Sequence, residues 1–347
     1  MCQMGEEVNK VTKFVGCKNI MENSSSLRSA DLRKVRLGRY PFKAGIKYYE
    51  AKKAPYLSTS TMIEVLGKLN YIGDIFFDLR KKGAVGTTDP RYITGADVEE
   101  FLLVMKRKQL EISTRKRYIS TLNSYLQLWG NDSINQLMKT KRLLPPKPTK
   151  EIRALSIEEI GAILVAAEKI EGHIGYIIRG MIALSFATGI RPKESIRAEI
   201  RDIDLKNSRF YVRHPKGEEA WAAPQWVDII RGDMMGRLEL YTEYRESICP
   251  ESPYLFPNKI TGEPYSSNNI RRVCRRISEV AGIQFRMKDF RSSLASITIS
   301  DDLSRLKAVS LQLRHSQLAT TERYYAKIQR DRVKKEIGSV WKEKPIQ

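Results

Sequence analysis

The 347-residue chain is poor in the residues from which many sites are built, with four cysteines and three histidines. Cys2, Cys17, Cys249 and Cys274 are far apart and form no C-x-x-C pair, which speaks against a disulfide scaffold or a structural zinc site and for reduced thiols. His173, His214 and His315 are too few for a histidine-rich metal centre. No run of 18 apolar residues occurs and the mean hydropathy is −0.41, so nothing reads as a membrane-spanning helix. The opening residues lack the charged-then-apolar layout of a secretory signal, and a cytosolic protein is expected. Acid is also in deficit. Against 61 Lys and Arg stand 40 Asp and Glu, a net charge of +21.

What is present fits a folded protein: 41% hydrophobic and 29% charged residues, in a length that suits two domains. The positive surplus points to a polyanion, most often nucleic acid. Ribosome-associated proteins and anionic-membrane binders share such a surplus, so charge alone does not choose among them.

Residues 1–50 read as an N-terminal arm, either a solvated tail or an ordered DNA-contacting segment. The run Asn23, Ser24, Ser25, Ser26 is linker-like, and residues 28–47 are basic with few periodic apolar positions. Residues 51–140 read as a helical domain. Met62, Val65, Leu66, Leu69, Ile72 and Phe76 recur at spacings of three and four, the pattern of a buried helix face. A second helix follows Thr94, and a third spans residues 113–129, with Arg115, Lys116 and Arg117 near its start as candidate phosphate contacts. Pro145, Pro146 and Pro148 make residues 141–154 a semi-rigid linker. Residues 155–347 form the larger domain, with a helix over 177–188 closed by Gly189 and a β-hairpin built from residues 209–213 and 222–229.

Five signals are spaced along this second domain. They are Thr188, Gly189, Ile190 and Arg191 with Glu194; Lys216 in the hairpin turn; Lys288, Asp289, Phe290 and Arg291; Arg314 and His315; and Thr320, Thr321 and Tyr324, the last nine residues after His315. In this order the sequence resembles the tyrosine recombinase (phage integrase) family over residues 57–340. The family pattern is T-G-x-R-x-x-E, a hairpin lysine, H-x-x-R, then G-H-x-x-x-x-T-T-x-x-Y. Two positions depart from it: Lys288 stands where the first histidine is expected, and Arg314 where a glycine precedes the second. The lysine is similar to what integrases of archaeal spindle-shaped viruses show, which implies an archaeal viral or plasmid element. The arginine bears on a backbone turn, since glycine tolerates conformations that arginine does not.

The resemblance implies a mainly α fold with a small antiparallel β element. A helical core-binding domain and an α/β catalytic domain would form a clamp around duplex DNA. It also implies strand cleavage through Tyr324, which leaves a 3′-phosphotyrosine and needs no metal or cofactor. Residue chemistry agrees. A phenol can be nucleophile and later leaving group, and at neutral pH it needs cations or a base nearby to lose its proton. Arg191 and Arg291 can grip phosphate oxygens in pairs, and His315 can donate to the same phosphate. The resemblance implies that Lys216 protonates the departing 5′ oxygen, provided its hairpin reaches the site, with Lys193 and Lys206 as near neighbours in sequence. Lys288 can act on the phosphate or on the proton, and Glu194 can orient the cations from behind. Tyr325 is the alternative nucleophile. Residues 328–341 read as an amphipathic tail helix, which the resemblance implies would dock on a neighbouring protomer of a DNA-bound tetramer, with its own domain as the alternative. Rival readings are a type IB topoisomerase and a catalytically silent DNA-binding protein. A nucleoid-associated site in the cytoplasm would suit all three.

Overall fold

The spacing of apolar residues over 62–76 becomes one long helix, and three other helices of the N-terminal half assemble on it. The structure is a computed structural model that describes residues 34–140, 143–145, 153–218 and 222–315. The chain divides into two compact units, Met1–Thr149 and Lys150–Gln347.

The first unit holds α1 (Pro41–Lys53), α2 (Thr59–Lys81), α3 (Gly95–Arg107), α4 (Ile112–Leu128) and α5 (Ser133–Thr140). Leu69, Ile72 and Phe76 of α2 meet Val98 and Phe101 of α3 and Leu122 and Tyr125 of α4 in an apolar core. Aromatic rings carry much of it. Phe42 lies 5.5 Å from Phe76 and 4.7 Å from Tyr125, whose hydroxyl donates to the Phe42 carbonyl at 2.7 Å. Such ring pairs add about 1 kcal/mol each beyond the area they bury. Thr94 caps α3, with its hydroxyl accepting from the Asp97 amide while the Asp97 carboxylate accepts from the Thr94 amide at 2.8 Å.

Residues 34–50 depart from the expectation of an arm. Phe42, Ile46 and Tyr49 form a buried stripe on α1, and α1 packs on α2. The cations Lys43 and Lys47 on the outer face dilute that stripe in the sequence, which is why it reads as a basic tail. Residues 1–33 lie outside the described residues. Of the expected linker, Leu143 and Leu144 pack against the first core.

The second unit is built around α7 (His173–Thr188), which is buried along nearly its whole length and preceded by α6 (Ile157–Glu168). It then runs through α8 (Pro192–Ile196), the strands β1 (Ile203–Asp204), β2 (Arg209–Val212) and β3 (Gln225–Asp228), and α9 (Met235–Ile248). Last come α10 (Ser267–Ala281), α11 (Met287–Asp301) and α12 (Leu306–Gln312). The sheet is antiparallel in the order β1-β2-β3, with Phe210 opposite Val227. Helices α9, α11, α6 and α10 all pack on α7. Helix α9 has no counterpart in the sequence reading, because its acids and arginines alternate with only Leu238, Tyr241 and Thr242 turned inward beside Arg245. Among the described residues no helix is long and apolar enough to cross a membrane.

Candidate active site

The site begins where α7 stops. The Thr188 hydroxyl donates back to the Leu184 carbonyl at 2.6 Å, and Gly189 takes φ +71°, closing the helix with its amide on the Ser185 carbonyl. Two constraints fix glycine here. The left-handed backbone disfavours any side chain, and a Cβ would stand 2.5 Å from Leu313 Cδ2. Arg191 is then extended, as the residue before a proline prefers, and Pro192 opens α8. Glu194 in the first turn of α8 reaches back. One carboxylate oxygen accepts from the Arg191 amide at 2.8 Å and the other from the Arg191 guanidinium at 3.0 Å.

A second segment arrives from α12. The Arg314 amide donates to the Leu311 carbonyl and the His315 amide to the Ser310 carbonyl, a helix ending that normally places glycine at the left-handed position. Arg314 occupies that position with φ +54°, at a backbone cost of about 1 kcal/mol. The turn expected of glycine is therefore kept without glycine. The Arg314 side chain is 6% exposed and pairs with Glu194 at 2.6 Å.

Two side chains staple these segments. Gln312 donates to the Thr188 and Asp228 carbonyls, tying α12 to the ends of α7 and β3. Arg291, buried on α11, donates to the Gly189 carbonyl at 2.5 Å and to the Leu313 carbonyl. Between the staples and the β2–β3 connection lies a pocket of about 230 Å³ lined by Arg191, Lys216, Gln225, Arg314 and His315, with Pro215 and alanines at its rim.

Burial and neighbouring charge together set the protonation states. Burial pushes the His315 imidazole down to about 4, helped by the positive Arg291, Arg191 and Arg314, so it is neutral at pH 7. Burial alone would raise the Glu194 carboxyl. The Arg314 charge, the Arg191 amide and the Arg191 charge outweigh it and hold the group below the usual carboxylate range. Arg314 is lowered from its ordinary value by burial and by Arg191, against the attraction of Glu194. The pocket is a cationic cup with one neutral imidazole, suited to a phosphodiester anion whose non-bridging oxygens gain charge in a transition state.

Arg191, Lys216 and His315 thus line one pocket, with Arg291 and Glu194 buried behind it. Lys193 and Lys206 do not line it. Nor does Lys288, which is exposed on the first turn of α11. Tyr324, Tyr325, the two threonines before them and residues 328–341 lie outside the described residues. Arg115, Lys116 and Arg117 sit in the first turns of α4 in the other unit, with Lys116 and Arg117 exposed and Glu111 at the N-cap position. His173 is a structural group, its ring bonded to the Tyr244 hydroxyl and the Pro257 carbonyl. His214 pairs with Glu218 at 2.9 Å.

Two features escaped the sequence reading. One is Arg314, visible only as a missing glycine. The other is α10, whose exposed Arg271, Arg272, Arg275 and Arg276 lie on one face, opposite buried Ile270, Val273, Cys274 and Ile277. The i, i+1, i+4, i+5 spacing of those arginines was the available signal.

Residues 153–331 match the phage integrase family. The chain belongs to that family. It is a tyrosine site-specific recombinase, and its relatives are of the same kind. Tyrosine recombinase XerC of Staphylococcus carnosus is 26% identical over 230 residues, 66% of this chain and 75% of that protein. Tyrosine recombinase XerA of Pyrococcus furiosus is 24% identical over 236 residues, 67% and 76% of the two chains. Among solved structures, XerH site-specific recombinase in a post-cleavage complex with palindromic difH substrate has a TM-score of 0.65 at 19% identity, covering 93% of this chain and 88% of that one. A lambda integrase dimer bound to a COC′ core site has a TM-score of 0.60 at 17% identity, covering 81% and 94%. The likeness to both structures is one of fold: this integrase-family chain has their helical architecture with a small antiparallel sheet.

Proposed function

We propose that this recombinase cleaves one strand of duplex DNA per protomer through Tyr324, leaving a 3′-phosphotyrosine and a free 5′ hydroxyl. Exchange of strands within a DNA-bound tetramer then integrates or excises an element. The observation that carries the reading is the convergence of Arg191, Lys216 and His315 on one pocket, with Arg291 behind it. In the reaction the Tyr324 oxygen bonds to phosphorus as the bond to the 5′ oxygen breaks. Arg191 and Arg291 neutralise charge on the non-bridging oxygens, and Lys216 gives its proton to the 5′ oxygen. His315, neutral before DNA binds, donates one N–H to the phosphate and takes the Tyr324 proton on its other nitrogen as the phosphotyrosine bond forms. Lys288 at the start of α11 acts on the phosphate or the tyrosyl proton once DNA is bound. The arginine face of α10, with Arg115, Lys116 and Arg117, supplies part of the salt-sensitive grip on the backbone. The source would be a mobile element, with XerA-like relatives compatible with an archaeal host.

The test begins by selecting a preferred sequence from a random duplex pool, then building it into a nicked suicide duplex. Wild type should form a covalent adduct on a denaturing gel, and Tyr324→Phe should form none. No adduct with wild type would sink the reading, and an adduct that survives Tyr324→Phe would move the nucleophile to Tyr325. Relaxation of supercoiled plasmid without site preference would mark a type IB topoisomerase instead.

A further inference from the structure

We infer that Arg314 is a positioning residue of the strand-transfer site, which locks Arg191 and the His315 turn together through a shared Glu194 carboxylate. The inference rests on the recombinase reading and concerns a residue that stands where the family pattern has glycine. Four observations carry it.

First, position 314 has a left-handed backbone, φ +54°, in a helix ending where glycine serves without strain. An arginine there carries a conformational cost that has no use for the turn itself. Second, its guanidinium does not run out to solvent, where a long cation would ordinarily go. The side chain is 6% exposed and meets a carboxylate that is 2% exposed. Third, that carboxylate is divided between two arginines. Glu194 Oε2 accepts from both the Arg191 amide and Arg314 Nη2, while Oε1 accepts from Arg191 Nη1. The pairing spans 120 residues of sequence, so one carboxylate fixes the α7–α8 turn against the α12 ending. Fourth, Arg314 lines the same pocket as Arg191, Lys216 and His315, and its Nε and Nη1 are buried without a partner among the described residues. Orphaned donors at a buried site mark a geometry held for something other than stability.

The physical consequence is rigidity and charge. With Arg314 present, Glu194 cannot rotate away from Arg191, so the Arg191 fork is held before DNA arrives. Arg314 also adds a positive charge beside His315. The charged groups facing that imidazole are then Arg291 from α11, Arg191 from the α7–α8 turn and Arg314 next to it in sequence. Lys216 lines the pocket from the hairpin, and Glu194 lies behind Arg191.

The test uses the full-length protein and the selected suicide duplex. Arg314→Gly suits the backbone and should melt no lower than wild type, yet form adduct at least tenfold more slowly, with duplex affinity unchanged. The acid limb of its pH–rate profile should move to higher pH, because a positive neighbour of His315 is gone. Arg314→Lys keeps the charge and loses the fork, so its acid limb should stay in place while its rate falls. In a Glu194→Gln background, Arg314→Gly should cost much less than in wild type, because both changes remove the same bridge. Wild-type rate and an unmoved acid limb in Arg314→Gly would overturn the inference. So would a full, additive loss in the double variant, or a rate that merely tracks melting temperature. Failure of the wild-type protein to form any adduct would instead overturn the recombinase reading.

Discussion

In the N-terminal unit, Asp97 and Asn131 are the buried polar side chains among the described residues; Asp97 serves its own helix start, and the uncharged Asn131 ties residues 90–93 to the end of α4. Asp97 closes a capping box and accepts from the Gly86 amide, while Asn131 donates to the Pro90 and Ile93 carbonyls. The C-terminal unit buries Glu194, Asp202, Asp289, Arg245 and Arg291, and the Arg314 side chain with them. Several of these join segments far apart in sequence: Arg291 to Gly189 and Leu313, Arg314 to Glu194. Buried charge is costly unless paired. The first unit therefore reads as a scaffold whose core is apolar and aromatic. The second accepts the electrostatic cost at several places, and at one of them, around Glu194, Arg291 and Arg314, separate chain segments hold cations in register.

The sharpest way to break that contrast is to remove the two arginines separately. Arg191→Ala and Arg291→Ala should each slow adduct formation at least about a hundredfold, the scale of losing one donor to a transition state. They should differ in stability. Arg191 is 24% exposed at its side chain, and without it Glu194 keeps Arg314, so denaturant unfolding should shift by about 1 kcal/mol or less. Arg291→Ala strands the Gly189 and Leu313 carbonyls and should cost about 3 kcal/mol. Equal stability losses would show that Arg291 is no staple.

Gly189 and Tyr125 test whether each unit's own packing matters to the chemistry. Gly189→Ala forces a Cβ to 2.5 Å from Leu313 Cδ2 at φ +71°, and should destabilise the second unit by about 2–3 kcal/mol while slowing cleavage. Tyr125→Phe removes the donor to the Phe42 carbonyl in the first core and should cost about 1.5 kcal/mol. Adduct formation well below the melting temperature should be unaffected. A matching loss of cleavage in Tyr125→Phe would dissolve the distinction between scaffold and site.

Much of this was legible in the sequence because it is local. The T-G-x-R run contains its own turn glycine and its own reaching glutamate, and Thr94 and Ser156 each stand three residues before an acid. Short-range geometry of this kind is written in spacing. Helix α1 was not, because lysines on its outer face obscure Phe42, Ile46 and Tyr49, and its helix is supported by packing on α2 rather than by pattern. Arg291 was legible as a cation but not as a staple, since its carbonyl partners lie 102 and 22 residues away. Arg314 was legible only as a departure. Nothing in a linear reading says that a non-glycine residue will hold a left-handed turn while its side chain crosses to Glu194.

The smallest expected effect separates two local devices that look identical in sequence. Thr94 and Ser156 both accept from the amide three residues on, and both receive a carboxylate at their own amide. Loss of such a cap costs about 1 kcal/mol. Ser156 is exposed and its partner Glu159 half-buried, so water can replace what Ser156→Ala removes, and the loss should stay near that figure. Thr94 also donates its hydroxyl to Asp97 at 2.8 Å, and Asp97 is 6% exposed. Thr94→Ala takes a donor from a buried carboxylate that water does not readily reach, and should cost about 2 kcal/mol in chemical denaturation. Equal losses would mean that Asp97 is already satisfied by the Gly86 and Thr94 amides. The buried polar group of the first unit would then be as purely local as the exposed cap of the second.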